Sequence, residues 1–285
     1  CAAGTSPCEA APKPATPLHR FAPAPAWVLA APVEYDAPAP AGQLVNGTWQ
    51  LLLDRQVNVT ATGDELYVRF VQKAVNQAGL TEMGQVDLYV DPHYQALAIN
   101  GIKVLRQGKT IDAAPAARFT ELPVETELDR LTYRGLYKIN IVLADLRVGD
   151  IVDFSYTLKS QDRYFPGKYA TRIQLEWGVP LHWQRVRVRH PASRKLQVRF
   201  NRPGLAAEPD TAGRFTEFSY VSKDPKPVLD EEARPAWHEH WAVLEVSEFP
   251  QWGDVANGFA GLFKLGARPR PRFDALVAEL GKGPG

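Results

Sequence analysis

Apolar and polar residues alternate with period two along most of the chain from Trp49 onward, the pattern of strands with one dry and one wetter face. It is clearest from Tyr137 to Leu158. There Ile139, Ile141 and Leu143 alternate with Lys138, Asn140 and Val142. After a corner at Asp145–Asp150, Val152, Phe154, Tyr156 and Leu158 alternate with Asp153, Ser155 and Thr157. Upstream, the pattern predicts strands over Trp49–Val59, interrupted by Asp54-Arg55, then Leu66–Val75 and Gln85–Val90. Gln77-Ala78-Gly79 is expected to turn, and Asp91-Pro92 to end a strand, since proline cannot donate to a ladder. Asn100-Gly101 between Leu97–Ile99 and Ile102–Leu105 predicts a type I′ hairpin, with a further corner at Gln107-Gly108-Lys109. Residues 112–135 are less regular, and a loop with a short helical turn is expected around Leu122–Arg130.

Downstream, Tyr169–Trp177 is a strand candidate, and Gly178–Leu181 reads as a crossing into a second sheet. Alternation resumes around Val186 and Val188, Leu196–Phe200 and Phe215–Val221, and Ala236–Val246 is expected to be a last extended segment. Trp252, Val255, Phe259, Leu262 and Phe263 then recur at helical spacing, which predicts an amphipathic helix over Gln251–Leu265, with another beginning at Phe273. Many short strands between Gly, Pro and Asn turns predict an all-β, mostly antiparallel, immunoglobulin-like or distorted β-sandwich. It would span residues 43–246, with a sub-domain boundary near 178–182, and residues 247–285 would begin a helical domain.

Residues 1–42 are dense in Ala and Pro, so they are expected to be a disordered, mostly unpacked leader or tether. Trp27-Val28-Leu29 is the one segment of it suited to docking. Cys1 and Cys8 are the only cysteines, which excludes a disulfide core or an all-cysteine zinc site. Cys1 before Ala2-Ala3-Gly4 suits lipid attachment in a bacterial lipoprotein after removal of a signal peptide. A tail cut at Cys1, or a small Cys1–Cys8 loop, fits the same residues. A net charge of +1 gives no ground for a nucleic-acid partner, and no run approaches the roughly 18 apolar residues of a membrane span.

Several strings, in order, resemble a known family: Leu51–Gln56, Asp91-Pro92-His93-Tyr94-Gln95, the Val104–Asp112 turn, Leu146–Asp150, the Trp177–Pro180 corner and Ser247–Phe263 with its Trp252-Gly253-Asp254-Val255. Across residues 43–265 they look like the amino-terminal domain of unknown function of exported bacterial transglutaminase-like proteins. That resemblance implies a β-sandwich preceding a papain-like region whose Cys, His and Asp perform acyl transfer or hydrolysis. No Cys follows Cys8, so no catalytic residue is carried over, and this chain is expected not to be an enzyme by itself.

Three constellations are candidates for binding. His238 and His240 would share a strand face and, with Asp230, Glu231 or Glu232, could ligate zinc. Otherwise they belong to an exposed edge strand. Arg185, Arg187 and Arg189, extended by Lys195, Arg199 and Arg202, form a stripe suited to an anionic polymer, or a solvated face paired with carboxylates. Trp177, Trp183, Tyr164 and Tyr169 could stack on sugars or fill the core. No phosphate loop, serine elbow or HExxH helix is present, and no cofactor is expected. The expected function is a binding or positioning domain for a polypeptide or cell-wall polymer in the periplasm or outer envelope. The alternative is a stand-alone module for carbohydrate or an anionic envelope polymer.

Overall fold

A computed structural model describes residues 16–40, 42, 44, 46–124, 135–161, 167–228, 239–263 and 278–279. The chain divides into two compact units, Cys1–Glu248 and Phe249–Gly285.

The first unit is built on one large sheet. Its strands, in spatial order, are β1 (His19–Phe21), β5 (Gln95–Arg106), β9 (Ile151–Gln161), β3 (Gly63–Ala74), β2 (Thr48–Val59), β11 (Leu181–Pro191), β14 (Phe215–Lys223) and β13 (Pro209–Ala212). A short β6 (Lys109–Asp112) folds back on β5. Among the described residues two three-stranded sheets accompany the large one: β4 (Gln85–Val90), β8 (Leu136–Val142) and β7 (Arg118–Val124) in the order β4-β8-β7, and β10 (Ala170–Gln174), β15 (Val243–Ser247) and β12 (Gln197–Phe200) in the order β10-β15-β12. Pairing is antiparallel except for β1 with β5 and β2 with β11. The expected mostly antiparallel β-sandwich is what these residues build.

The even-numbered apolar residues of β9 and β11 decide where the layers meet. Val152 and Phe154 join Ile139, Ile141 and Leu143 in one core, so the β4-β8-β7 sheet covers that part of the large sheet. Val186 and Val188 join Val57, Leu244 and Val246 in a second core beneath the β10-β15-β12 sheet. The two alternating limbs of Tyr137–Leu158 therefore lie in different sheets and face one another across the core. Their linker is held by Asp150, which accepts hydrogen bonds from Arg106 Nη2 at 2.7 Å and the Arg147 amide at 2.8 Å.

Three local expectations change. Gln77 opens a helix, α1 (Gln77–Met83), rather than a turn: Asn76 caps it by accepting from the Gly79 amide at 3.1 Å, and Met83 enters the first core. Asn100-Gly101 makes no hairpin. Neither residue has positive φ, and β5 runs on beside β9 with a bulge between Ile99 and Gly101. The bulge switches the inward parity from Leu97 and Ile99 to Ile102 and Val104, so both halves reach the same core. The two-residue hairpin falls instead at Gln107 (φ 50°) and Gly108 (φ 76°), both in the left-handed region that a type I′ turn requires. Finally, residues 118–124 form β7 instead of irregular chain, while the helical turn expected near Leu128 lies outside the described residues.

In the second unit, α2 (Trp252–Ala260) occupies most of the expected amphipathic helix and ends in a 3₁₀ turn, Gly261–Phe263. Most of the helix expected from Phe273 lies outside the described residues.

Candidate functional site

The opposite face of the large sheet is polar. It carries Asp54 and Gln56 on β2, Tyr67 and Arg69 on β3, Asp153 and Ser155 on β9, and Arg185 and Arg187 on β11. Asp54 is 1% exposed and accepts two parallel hydrogen bonds from Arg185, Nε to Oδ1 and Nη2 to Oδ2, both at 2.9 Å. Gln56 donates to the same carboxylate at 2.8 Å. Arg69 grips Asp153 in the same bidentate way at 2.8 and 2.7 Å, and that hydrogen bonding raises the Arg69 pKa against the opposing effect of burial. Arg187 pairs with Glu217.

This face is roofed by the proline-rich segment expected to be unpacked and disordered. Over its described part the segment lies across the strands. Proline lacks a donor, but its neighbours keep their carbonyls, and the arginines supply the protons. Arg185 donates to the carbonyls of Leu29 at 2.7 Å and Ala30 at 3.3 Å, and Arg187 to that of Trp27 at 3.0 Å. The Gln56 side-chain amide donates to the Leu29 carbonyl at 2.8 Å and accepts from its amide at 3.0 Å, imitating one rung of a ladder. Trp27 Nε1 donates to Glu65 at 2.6 Å. Farther along, Ala31 and Ala37 join Trp49, Leu51, Leu52, Val71 and Ile151 in a third core. His182 lies between Glu34 at 3.2 Å and Asp224 at 2.7 Å, anchoring the same arm.

The arginine stripe is therefore not an open face for an anion. Arg185 and Arg187 are 9% and 3% exposed, and both have acidic partners inside the protein. Arg189 is half-buried, stacked over the Phe215 ring at 3.5 Å and ion-paired with Glu217. What opens beneath the arm is a polar cavity of about 460 Å³, lined by Asp54, Tyr67, Arg69, Lys103, Asp153 and Ser155 among others. Burial pushes the Tyr67 phenol up, so it remains a neutral hydrogen-bonding group there.

A second opening, of about 330 Å³, lies on the other face, and of the candidate binding residues read from the sequence only Trp177 lines it. Leu53, Phe70 and Leu181 make its apolar surface, and Gln50 and Gln72 add a pair of amides joined at 2.6 Å. Gln85, Val86 and Asp87 of β4 form one side, Trp177 and Val179 line it as well, and Glu82 adds a carboxylate. Arg55 lies 5.2 Å from the centre of the Trp177 ring and donates to the Gln174 carbonyl, which steadies that part of the lining. Burial lowers the Arg55 pKa to about 10, so it stays protonated at neutral pH.

His238 and the carboxylates proposed beside it lie outside the described residues, as do Cys1 and Tyr164. His240 packs edge-on to Trp241 at 4.7 Å, and its Nε2 is buried without a hydrogen-bond partner. Among the described residues, no group of three or more His, Cys, Asp or Glu is placed to hold a metal. Tyr169 is buried in the second core, whereas Trp183 packs against the third. No helix among the described residues is long and apolar enough to cross a membrane.

Two buried acids of the first unit make it sensitive to acid. Burial alone would raise Glu248, but hydrogen bonds from Arg194 and the Tyr169 amide outweigh it and bring its pKa below the usual value. Asp150 is lowered in the same way by Arg106 and the Arg147 amide. A lowered folded pKa stabilises fully above the unfolded values of roughly 4, and that stability is lost as pH falls through the lowered folded values. Melting temperature is expected to hold near neutrality and fall below about pH 4. Glu248→Gln should flatten that acid limb, as measured by thermal melts across pH.

A crystal structure of a candidate protease from Parabacteroides distasonis shares the fold, with a TM-score of 0.62 at 15% identity. The match covers 72% of this chain and 41% of that one, so this chain spans well under half of its neighbour's length. An M1 zinc metallopeptidase from Deinococcus radiodurans aligns over 72% of this chain and 43% of its own at 12% identity, but a TM-score of 0.39 is too loose to bear on this protein. No curated protein matches the chain. A family model described as a domain of unknown function with solved structure, DUF3857, matches residues 62–229, more than half of the chain. These residues include strands of all three sheets, the parity-switching bulge and most of the second opening, and the chain belongs to the DUF3857 family.

Proposed function

We propose that this chain is a non-catalytic binding and positioning domain of an exported bacterial protein, working beside a transglutaminase-like or peptidase-like catalytic region of a longer polypeptide. The observation that carries this reading is the open cleft on the large sheet. Among the described residues its lining offers apolar surface, amides and two carboxylates, and it holds no serine, threonine, cysteine, histidine or lysine. The acids and arginines of the opposite face are engaged with one another and with the proline-rich arm, a structural use of charge. Fold similarity to 41% of a candidate protease supports a place within a larger chain. On this reading the partner is a polypeptide or cell-wall peptide held by the cleft, in the periplasm or at the outer envelope, with Cys1 as the lipid attachment point.

The test is to assay peptide hydrolysis and amide transfer by residues 1–285 and by the longer polypeptide encoded by the same reading frame. The longer protein is expected to turn over substrate and the shorter one not. Val179→Asp, an exposed change in the cleft, should raise KM several-fold and leave kcat unchanged. Turnover by residues 1–285 alone, or a longer protein indifferent to Val179→Asp, would overturn the reading.

A further inference from the structure

Strand β4 is an edge. Its only ladder partner among the described residues is β8, and its other side lines the cleft. The register shows which backbone groups are free. Gly84 stands opposite Leu143, and the Leu143 amide donates to the Gly84 carbonyl at 2.9 Å, which makes that a hydrogen-bonded pair. Val86 and Leu88 continue the same alternation toward Ile141 and Ile139. Gln85, Asp87 and Tyr89 therefore direct their amides and carbonyls away from β8. A row of unpaired donors and acceptors at a strand edge is a template for another extended chain.

The rest of the lining states what that chain should carry. Leu53, Phe70, Val86 and Leu181 offer an apolar surface for an aliphatic side chain, and Gln72, steadied by its hydrogen bond to Gln50, can hydrogen-bond a peptide group. Among the described residues, the charged groups lining the cleft are Glu82 and Asp87, both acidic. Asp87 accepts from Asn140 at 2.7 Å and attracts Lys138 at 3.3 Å, exposed contacts that leave its carboxylate charge for an incoming cation to share. Edge and charge complement the same kind of ligand.

Building on the binding-domain reading above, we propose that the cleft takes an extended polypeptide segment by strand addition to β4, selecting aliphatic side chains alternating with lysine or arginine. Apolar surface alone would accept any greasy segment. The outward β4 backbone demands an extended one, and the two carboxylates favour a basic one over an acidic one.

The test uses fluorescein-labelled, capped hexapeptides alternating Val with Lys, Val with Glu and Val with Ser, titrated against residues 1–285 by polarisation. The Lys peptide is expected to bind saturably and at least tenfold more tightly than the Glu peptide. Asp87→Ala removes the carboxylate and keeps the backbone donor, whereas Asp87→Pro removes both, at an edge position where the fold does not use that donor. Asp87→Pro is expected to bind at least tenfold more weakly than Asp87→Ala, and Glu82→Lys several-fold more weakly than the unmodified chain, with each variant's melting curve confirming folding. Equal binding by folded Asp87→Pro and Asp87→Ala would overturn strand addition. So would binding of none of the three peptides. Preference for the Glu peptide would overturn the charge selection, and concentration-dependent dimerisation abolished by Asp87→Pro would assign the edge to a second copy instead. Peptide binding by residues 1–285 does not depend on turnover by any longer protein, so failure here and failure of the positioning role are distinguishable.

Discussion

Asp54→Ala is expected to destabilise the first unit by about 3–5 kcal/mol, a drop in melting temperature on the order of 10 °C. The carboxylate is buried and bidentate to Arg185, so its removal leaves a guanidinium with no charge partner in a site 9% open to solvent. The Leu29 and Ala30 carbonyls remain as acceptors, but they are dipoles and do not replace the anion. The double variant Asp54→Leu with Arg185→Met removes both charges and is expected to recover much of the loss, because desolvating an ion pair costs nearly as much as its attraction returns. It should not recover the arm. Without Arg185 the Leu29 and Ala30 carbonyls lose their donor, and limited proteolysis should cut near residues 27–31 faster than in the unmodified chain. Equal melting temperatures for Asp54→Ala and the unmodified protein would show that the pair does not hold the sheet face together.

Phe154→Ala is expected to cost about 3–5 kcal/mol by a different route. Phe154 is fully buried, stacked on Phe70 at 5.1 Å and edge-on to Tyr156 at 6.2 Å. It stands where the large sheet meets Ile139 and Ile141 of the β4-β8-β7 sheet, and truncation opens a cavity between two sheets that cannot both move inward. Phe154→Leu keeps much of the volume and should recover more than half of the loss. Chemical denaturation read by far-ultraviolet circular dichroism checks both variants. A change below about 1 kcal/mol for Phe154→Ala would mean that this core is looser than its packing indicates.

These two positions differ in how readable they were. Phe154 belongs to an alternating run whose apolar residues turn inward, and period two alone places it in a core. Asp54 read as an interruption of a strand. Its meaning lies 131 residues away at Arg185, and no local pattern joins them. A weaker signal was present: Asp54 and Gln56, Tyr67 and Arg69, and Asp153 and Ser155 also recur with period two, marking one continuous polar face. Asn100-Gly101 shows the reverse. A strong turn dipeptide lost to the parity of its flanks, because Leu97 and Ile99 on one side and Ile102 and Val104 on the other reach one core only through a bulge.

What the amino-acid order determined by itself was the strand-rich class and the inward residues of its clearly alternating strands, such as β8, β9 and β11, since side-chain alternation is a local property. Tertiary structure alone decided that the limbs of Tyr137–Leu158 part into two sheets, that the arginine stripe lies under the arm, and that β4 borders a cleft. Each of these depends on which distant strand a segment meets, and long-range pairing is set by the summed burial of whole faces, which no short window of sequence contains.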